Sequence, residues 1–198
     1  MFLRGKSVSH GYGVTIKHLA EHSNHSEAKV VYDSIVYIHD SLGIPYDEIA
    51  VVMYNSSYRK KISGWNNKTY NLETPLASLL AQDDIPICYM YNSDVEWGSR
   101  YGEDGGVRFI KFASVLGLDF RAAIVCGLMP FGDFNATKNP NWIGLKDDEE
   151  KFQQQLQFAQ NHIRYLYVAC TRAKEVLHIV LPESSNDSVY VKMLEEAK

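Results

Sequence analysis

The turn Thr171-Arg172-Ala173-Lys174 lies between a helical apolar pattern and a short apolar run, and no other feature of the 198-residue chain has comparable chemical consequence. A guanidinium held at the junction of two buried elements requires an acidic or phosphate partner. Arginine's planar fork matches phosphate oxygens two at a time. A cation presented at a domain edge can neutralise charge developing on a transferring phosphoryl group. Arg172 is therefore the candidate phosphate-sensing residue, and the alternative is a structural arginine paired with a carboxylate at a helix end.

Other residue sets carry less. Gly5-Lys6-Ser7 has the ending of a phosphate-binding loop, but that loop needs a further glycine five positions before Gly5 and a buried strand before it. His18, His22 and His25 recur at helical spacing and read as surface or hydrogen-bonded histidines rather than metal ligands. Cys88, Cys126 and Cys170 are far apart and lack the paired spacing of a zinc or redox site, so they read as reduced, buried thiols. Trp65, Trp97 and Trp142 lie in polar stretches; core anchoring is the first reading for them and stacking on unpaired bases the second.

Composition bounds the answer. With 45% apolar and 22% charged residues the chain is an ordinary globular sequence, and its length suits a single core. The net charge of −4 argues against a basic DNA-binding domain, so any nucleic-acid contact must be local. The compact basic patch Arg59-Lys60-Lys61 reads as a solvated helix face. No apolar run approaches the roughly 20 residues that span a bilayer, and the first residues lack a signal-peptide core, so a cytoplasmic location without membrane contact is expected.

The elements that must position Arg172 follow from periodicity. Ala28, Val31, Ile35, Ile38 and Leu42 place one apolar face on a helix from Glu27 to Leu42, which Gly43 and Pro45 stop. Ile49 to Tyr54 is a short β-branched run that suits a strand covered on both faces. A second helix is expected over Ser57 to Gly64 and a third from Thr74-Pro75, with a strand over Pro86 to Tyr91. Residues 92–106 read as a polar excursion, the best insertion point in the chain.

Val107 to Phe112 and Phe120 to Gly127 are strand-like, separated by a turn. After a long loop over Met129 to Lys146, acidic residues from Asp147 open a helix that runs through Leu166. A last strand covers Val176 to Leu181, and Val189 to Ala197 has the pattern of a closing amphipathic helix. Strands alternating with helices predict an α/β domain around a mostly parallel sheet, with 1–198 as one domain.

Arg164-Tyr165-Leu166-Tyr167-Val168-Ala169-Cys170-Thr171-Arg172-Ala173 resembles motif VI of UvrD/Rep-type DNA helicases, usually RRLxYVAxTRA. Val107 to Phe120 (VRFIKFASVLGLDF) resembles motif V, usually VxxxTxHxxKGLEF, at an appropriate distance upstream. Asp47 to Tyr54, following Arg4-Gly5 and the first helix, is similar to the segment often read as DIAVLxR. The resemblance spans roughly residues 3 to 181.

It implies a RecA-like, three-layer domain of the P-loop NTPase type, the second motor lobe of an ATP-dependent helicase or translocase. ATP and Mg2+ would be bound mainly by a first lobe of the same polypeptide that carries the phosphate loop, with none held by this lobe alone. Single-stranded or partly duplex DNA would cross both lobes. By position, Arg172 would contact the γ-phosphate, with Arg164, Gly117 and Asp119 at the nucleotide site and Lys111 and Ser114 on the DNA side. The first of the family's paired arginines is Ile163, Asp119 stands for its glutamate, and Lys111, Ala113 and Leu116 replace its threonine, histidine and lysine. Ala113 and Leu116 motivate a second reading, a RecA-like nucleic-acid-binding module without unwinding activity. A third is an unrelated α/β nucleotide- or small-molecule-binding domain, which Thr171-Arg172 buried against the sheet away from the strands' carboxyl ends would favour.

Overall fold

Residues 13–19, 24–54, 57–59, 69–90, 99–100, 105–128 and 149–181 are described by a computed structural model. The run Ile49–Met53 shows why the domain is layered. Ile49, Val51 and Met53 pack into one buried cluster and Ala50 and Val52 into another. The alternation of a strand thus sends successive side chains into two cores, and both must be apolar.

In chain order the elements are β1 (Gly13–His18), α1 (Asn24–Val36, extended by a π-helical turn over Tyr37–Ser41), β2 (Ile49–Met53), β3 (Ser57–Arg59), β4 (Thr69–Asn71), α2 (Glu73–Gln82) and β5 (Ile87–Tyr89). Then come β6 (Ser99–Arg100), β7 (Val107–Lys111), a 3-10 turn (Phe112–Ser114), β8 (Phe120–Cys126), α3 (Glu149–Cys170) and β9 (Ala173–Leu181). Seven strands form one sheet in the order β1-β9-β8-β2-β7-β5-β6, and every pairing in it is parallel.

Helices α1 and α2 cover one face through Val31, Ile35, Leu76 and Leu80. Leu166 and Ala169 of α3 cover the other, together with Phe112 and Val115 from the segment joining β7 to β8. This is the three-layer α/β fold expected of a RecA-like lobe. Among the described residues, no helix is long and apolar enough to cross a membrane.

Several expectations hold in detail. Gly43 adopts φ +67, the left-handed conformation that stops the first helix at little cost to glycine. Pro75 stands in the first turn of α2, where a missing N–H leaves no helical bond unmade. Others are corrected. Ser57–Arg59 is a strand, not the start of a helix, and pairs antiparallel with Thr69–Asn71 in a register that sets Tyr58 opposite Tyr70. Eight residues make a marginal helix, whereas a two-strand ribbon suits tyrosine and satisfies its backbone groups across the pair.

Arg59 therefore lies on a strand instead of a helix face, while Lys60 and Lys61 fall outside the described residues. His18 ends β1 and His25 lies in α1, so no single helix presents both; His22 falls outside. Residues 99–100 of the polar excursion form the sheet's edge strand β6. The phosphate-loop-like Gly5-Lys6-Ser7, the three tryptophans, the loop over 129–146 and the closing helix over 189–197 all fall outside the described residues.

Candidate nucleotide-facing site

Helix α3 descends antiparallel to the strands and delivers Thr171 and Arg172 to the amino end of β9. The segment from Val115 to Asp119 delivers Asp119 to the amino end of β8, and Phe120 and Ala173 are register partners there. The backbone N–H of Phe120 donates to the carbonyl of Arg172 at 2.9 Å, which locks the two segments side by side. Gly117 makes the turn possible: its φ of +78 is a conformation that a side chain would strain.

The Arg172 side chain, 23% exposed, is surrounded by acceptors. Nε donates to the Val168 carbonyl at 3.1 Å, Nη2 to Thr171 Oγ1 at 3.1 Å, and Nη1 to both the Leu118 carbonyl and Asp119 Oδ1 at 3.4 Å. Asp119 Oδ2 also lies 3.8 Å from Lys174 Nζ. The two contacts to Asp119 are long for charge-assisted bonds, which run at roughly 2.7–2.9 Å. A second arginine on the same edge is held quite differently. Arg121 forms a fork on Glu175, with Nε at 2.8 Å and Nη2 at 3.0 Å, and places Nη1 3.1 Å from Glu48. Arg121 keeps the Glu175 carboxyl below its ordinary range.

Of the sequence-derived site residues, the structure brings Arg172, Asp119 and Gly117 together. Arg164 is exposed on α3 eight residues before Arg172, about 12 Å up the helix axis. Lys111 belongs to the other end of the sheet: it is level with Met53, and Met53 with Cys126, at the carboxyl ends of the strands. The length of β8 separates it from Asp119 by roughly 20 Å, whereas Ser114 lies only five residues before Asp119, on the turn-rich segment that joins β7 to β8. Ala113, Ser114 and Leu116 are exposed, and Leu116 is a large apolar side chain at 63% exposure. Thr171 and Arg172 thus lie away from the carboxyl ends of the strands, as the third reading requires, but they are half-buried at the sheet's edge and not packed beneath it.

Lys174 was not among the candidates, although its place two residues after Arg172 in an extended strand puts it beside the same acid. Two buried polar groups were also missed. Glu27, at the start of α1, is 1% exposed; its Oε1 accepts the Gly127 N–H at 2.7 Å, and its Oε2 has no partner among the described residues. Burial pushes this carboxyl up to about 7, against the opposing effect of the Gly127 bond. His178 of β9 is buried with Nδ1 unpartnered, and burial followed by the nearby Lys17 lowers it to about 4. Among the described residues, no group of three or more His, Cys, Asp or Glu side chains could hold a metal ion.

No family model and no curated protein matches the chain. Among solved structures it is similar to the C-terminal domain of a possible DNA helicase from Lactobacillus plantarum WCFS1, at 15% identity and a TM-score of 0.46 over 87% of this chain and 76% of that one. That likeness is too distant to assign any residue a role.

Proposed function

We propose that the chain is the second motor lobe of an ATP-dependent DNA helicase or translocase, with Arg172 reaching a nucleotide held by a first lobe. The observation that carries this reading is the meeting of the two motif-like segments. Leu118, Asp119 and Phe120 from the motif V-like stretch touch Arg172 of the motif VI-like stretch, 53 positions away, through one backbone and two side-chain contacts. An open parallel sheet binds its own ligands at the carboxyl ends of its strands. An arginine at the amino ends is placed instead to act on a nucleotide that another body presents. Such arginines accelerate phosphoryl transfer by roughly 10³ to 10⁵.

In this reading ATP and Mg2+ sit mainly on the first lobe, Arg172 meets the γ-phosphate, and Asp119 and Gly117 line the nucleotide side of the interface. Arg164 lies farther along the same helix as a supporting cation. Lys111, at the opposite end of the sheet, and Ser114, on the segment that leads back from it, are assigned to DNA. Leu116, exposed where the family carries lysine, favours a variant of this reading in which the lobe binds nucleic acid but no longer couples to unwinding. The two-lobe protein separates them. DNA-stimulated ATP hydrolysis with strand displacement supports the motor, hydrolysis-free DNA binding supports the variant, and neither activity overturns both.

A further inference from the structure

The two arginines on the amino edge of the sheet differ in what holds them. Arg121 is fully committed, with three contacts of 2.8 to 3.1 Å to two glutamates. Arg172 and Lys174 instead share one carboxylate, Asp119, at 3.4 and 3.8 Å. Asp119 is half-exposed and lies between them, so its two oxygens take the place that two oxygens of a small anion could take. Neither contact is short enough for a strong charge-assisted bond, and pairs this exposed contribute little to stability.

We propose that Asp119 occupies an anion seat between Arg172 and Lys174 that the terminal phosphate of a nucleotide takes in its turn, which makes Asp119 an internal competitor and Lys174 a second phosphate-binding cation. The inference deepens the reading of Arg172 as phosphate-facing and rests on it. A terminal phosphate carries more charge than a carboxylate and offers three acceptor oxygens, so it can displace Asp119 while satisfying both cations. The Val168 carbonyl and Thr171 Oγ1 hold the other guanidinium nitrogens throughout, and the arginine need not change rotamer. Without a phosphate the carboxylate screens the pair. Lys174 and Asp119 thereby set how tightly an empty interface attracts polyphosphate.

Equilibrium binding of inorganic tripolyphosphate to this chain tests the seat directly. Asp119→Asn, and separately Asp119→Ser, should tighten binding roughly fivefold, the effect of removing one exposed charge from a close pair. Asp119→Glu should leave the affinity as it was. Adding Lys174→Ala or Arg172→Ala to Asp119→Asn should abolish the gain. Unchanged affinity in both neutral variants, or a gain that survives loss of both cations, overturns the proposal. ATP turnover by the two-lobe protein is read separately. Turnover that depends on Arg172 with no gain from Asp119→Asn leaves the motor standing and removes the seat. A gain without such turnover keeps the seat and removes the motor.

Discussion

Glu27→Gln should change the pH dependence of stability in a direction that the structure fixes. The Glu27 carboxyl is buried beneath α1 with one oxygen on the Gly127 N–H, and burial raises it from 4.5 to about 7. The folded state therefore binds this proton more tightly than the unfolded chain does. Its contribution is fully present below about pH 4.5 and is lost as pH rises towards 7. At about 1.4 kcal/mol per pH unit the loss reaches about 3 kcal/mol. His178 works in the opposite sense. Its folded-state value is depressed to about 4, so its contribution is present above about pH 6.5 and is lost as pH falls through 4.

Between pH 4.5 and 6.5 the two slopes offset each other in the wild-type chain. Glu27→Gln removes one of them and leaves an acceptor for Gly127. Urea denaturation at half-unit steps from pH 4.5 to 8 should show the variant gaining about 3 kcal/mol on the wild type across that range, a midpoint shift of roughly 1 to 2 M. Groups common to both proteins cancel in the difference. A difference that stays flat from pH 4.5 to 8 would refute the account of Glu27 as a carboxyl kept protonated by burial.

Two further substitutions probe the frame around the site. Ile124→Ala, at the centre of β8 and fully buried between β2 and β9, should cost about 2–5 kcal/mol in chemical denaturation. Gly117→Ala places a side chain at φ +78 with open space around it, so the cost is backbone strain of about 1–2 kcal/mol, measurable as a lowered melting temperature. A Gly117→Ala protein as stable as the wild type would mean that the turn before Asp119 is not held in this conformation.

The sheet and its layering were legible because strands buried on both faces must be apolar throughout, as Ile49–Met53 and Phe120–Cys126 are. The stop at Gly43 was legible for a local steric reason. β1 escaped notice because it is an edge strand with most of its residues exposed, so its sequence GVTIKH carries no apolar run. Periodicity points to a helix at Ser57–Arg59 because it does not see strand pairing with Thr69–Asn71, a non-local interaction. At the site, Arg172 stood out from its placement between two apolar elements. Its pairing with Asp119 and the shared role of Lys174 depend on how the β7–β8 segment crosses beside α3. The burial of Glu27 and His178 likewise comes from tertiary packing around residues whose types are common on surfaces.

The central claim is that Arg172 acts on a nucleotide's γ-phosphate from the amino edge of this sheet. It is tested most directly by the steady-state rate of DNA-stimulated ATP hydrolysis in the two-lobe protein carrying Arg172→Ala, with the fold checked by thermal melting. The account predicts a fall in kcat of roughly 10³-fold or more, with KM changed far less. A kcat equal to that of the wild type would contradict it, and would leave Arg172 as a structural residue that ties α3 to the start of β8.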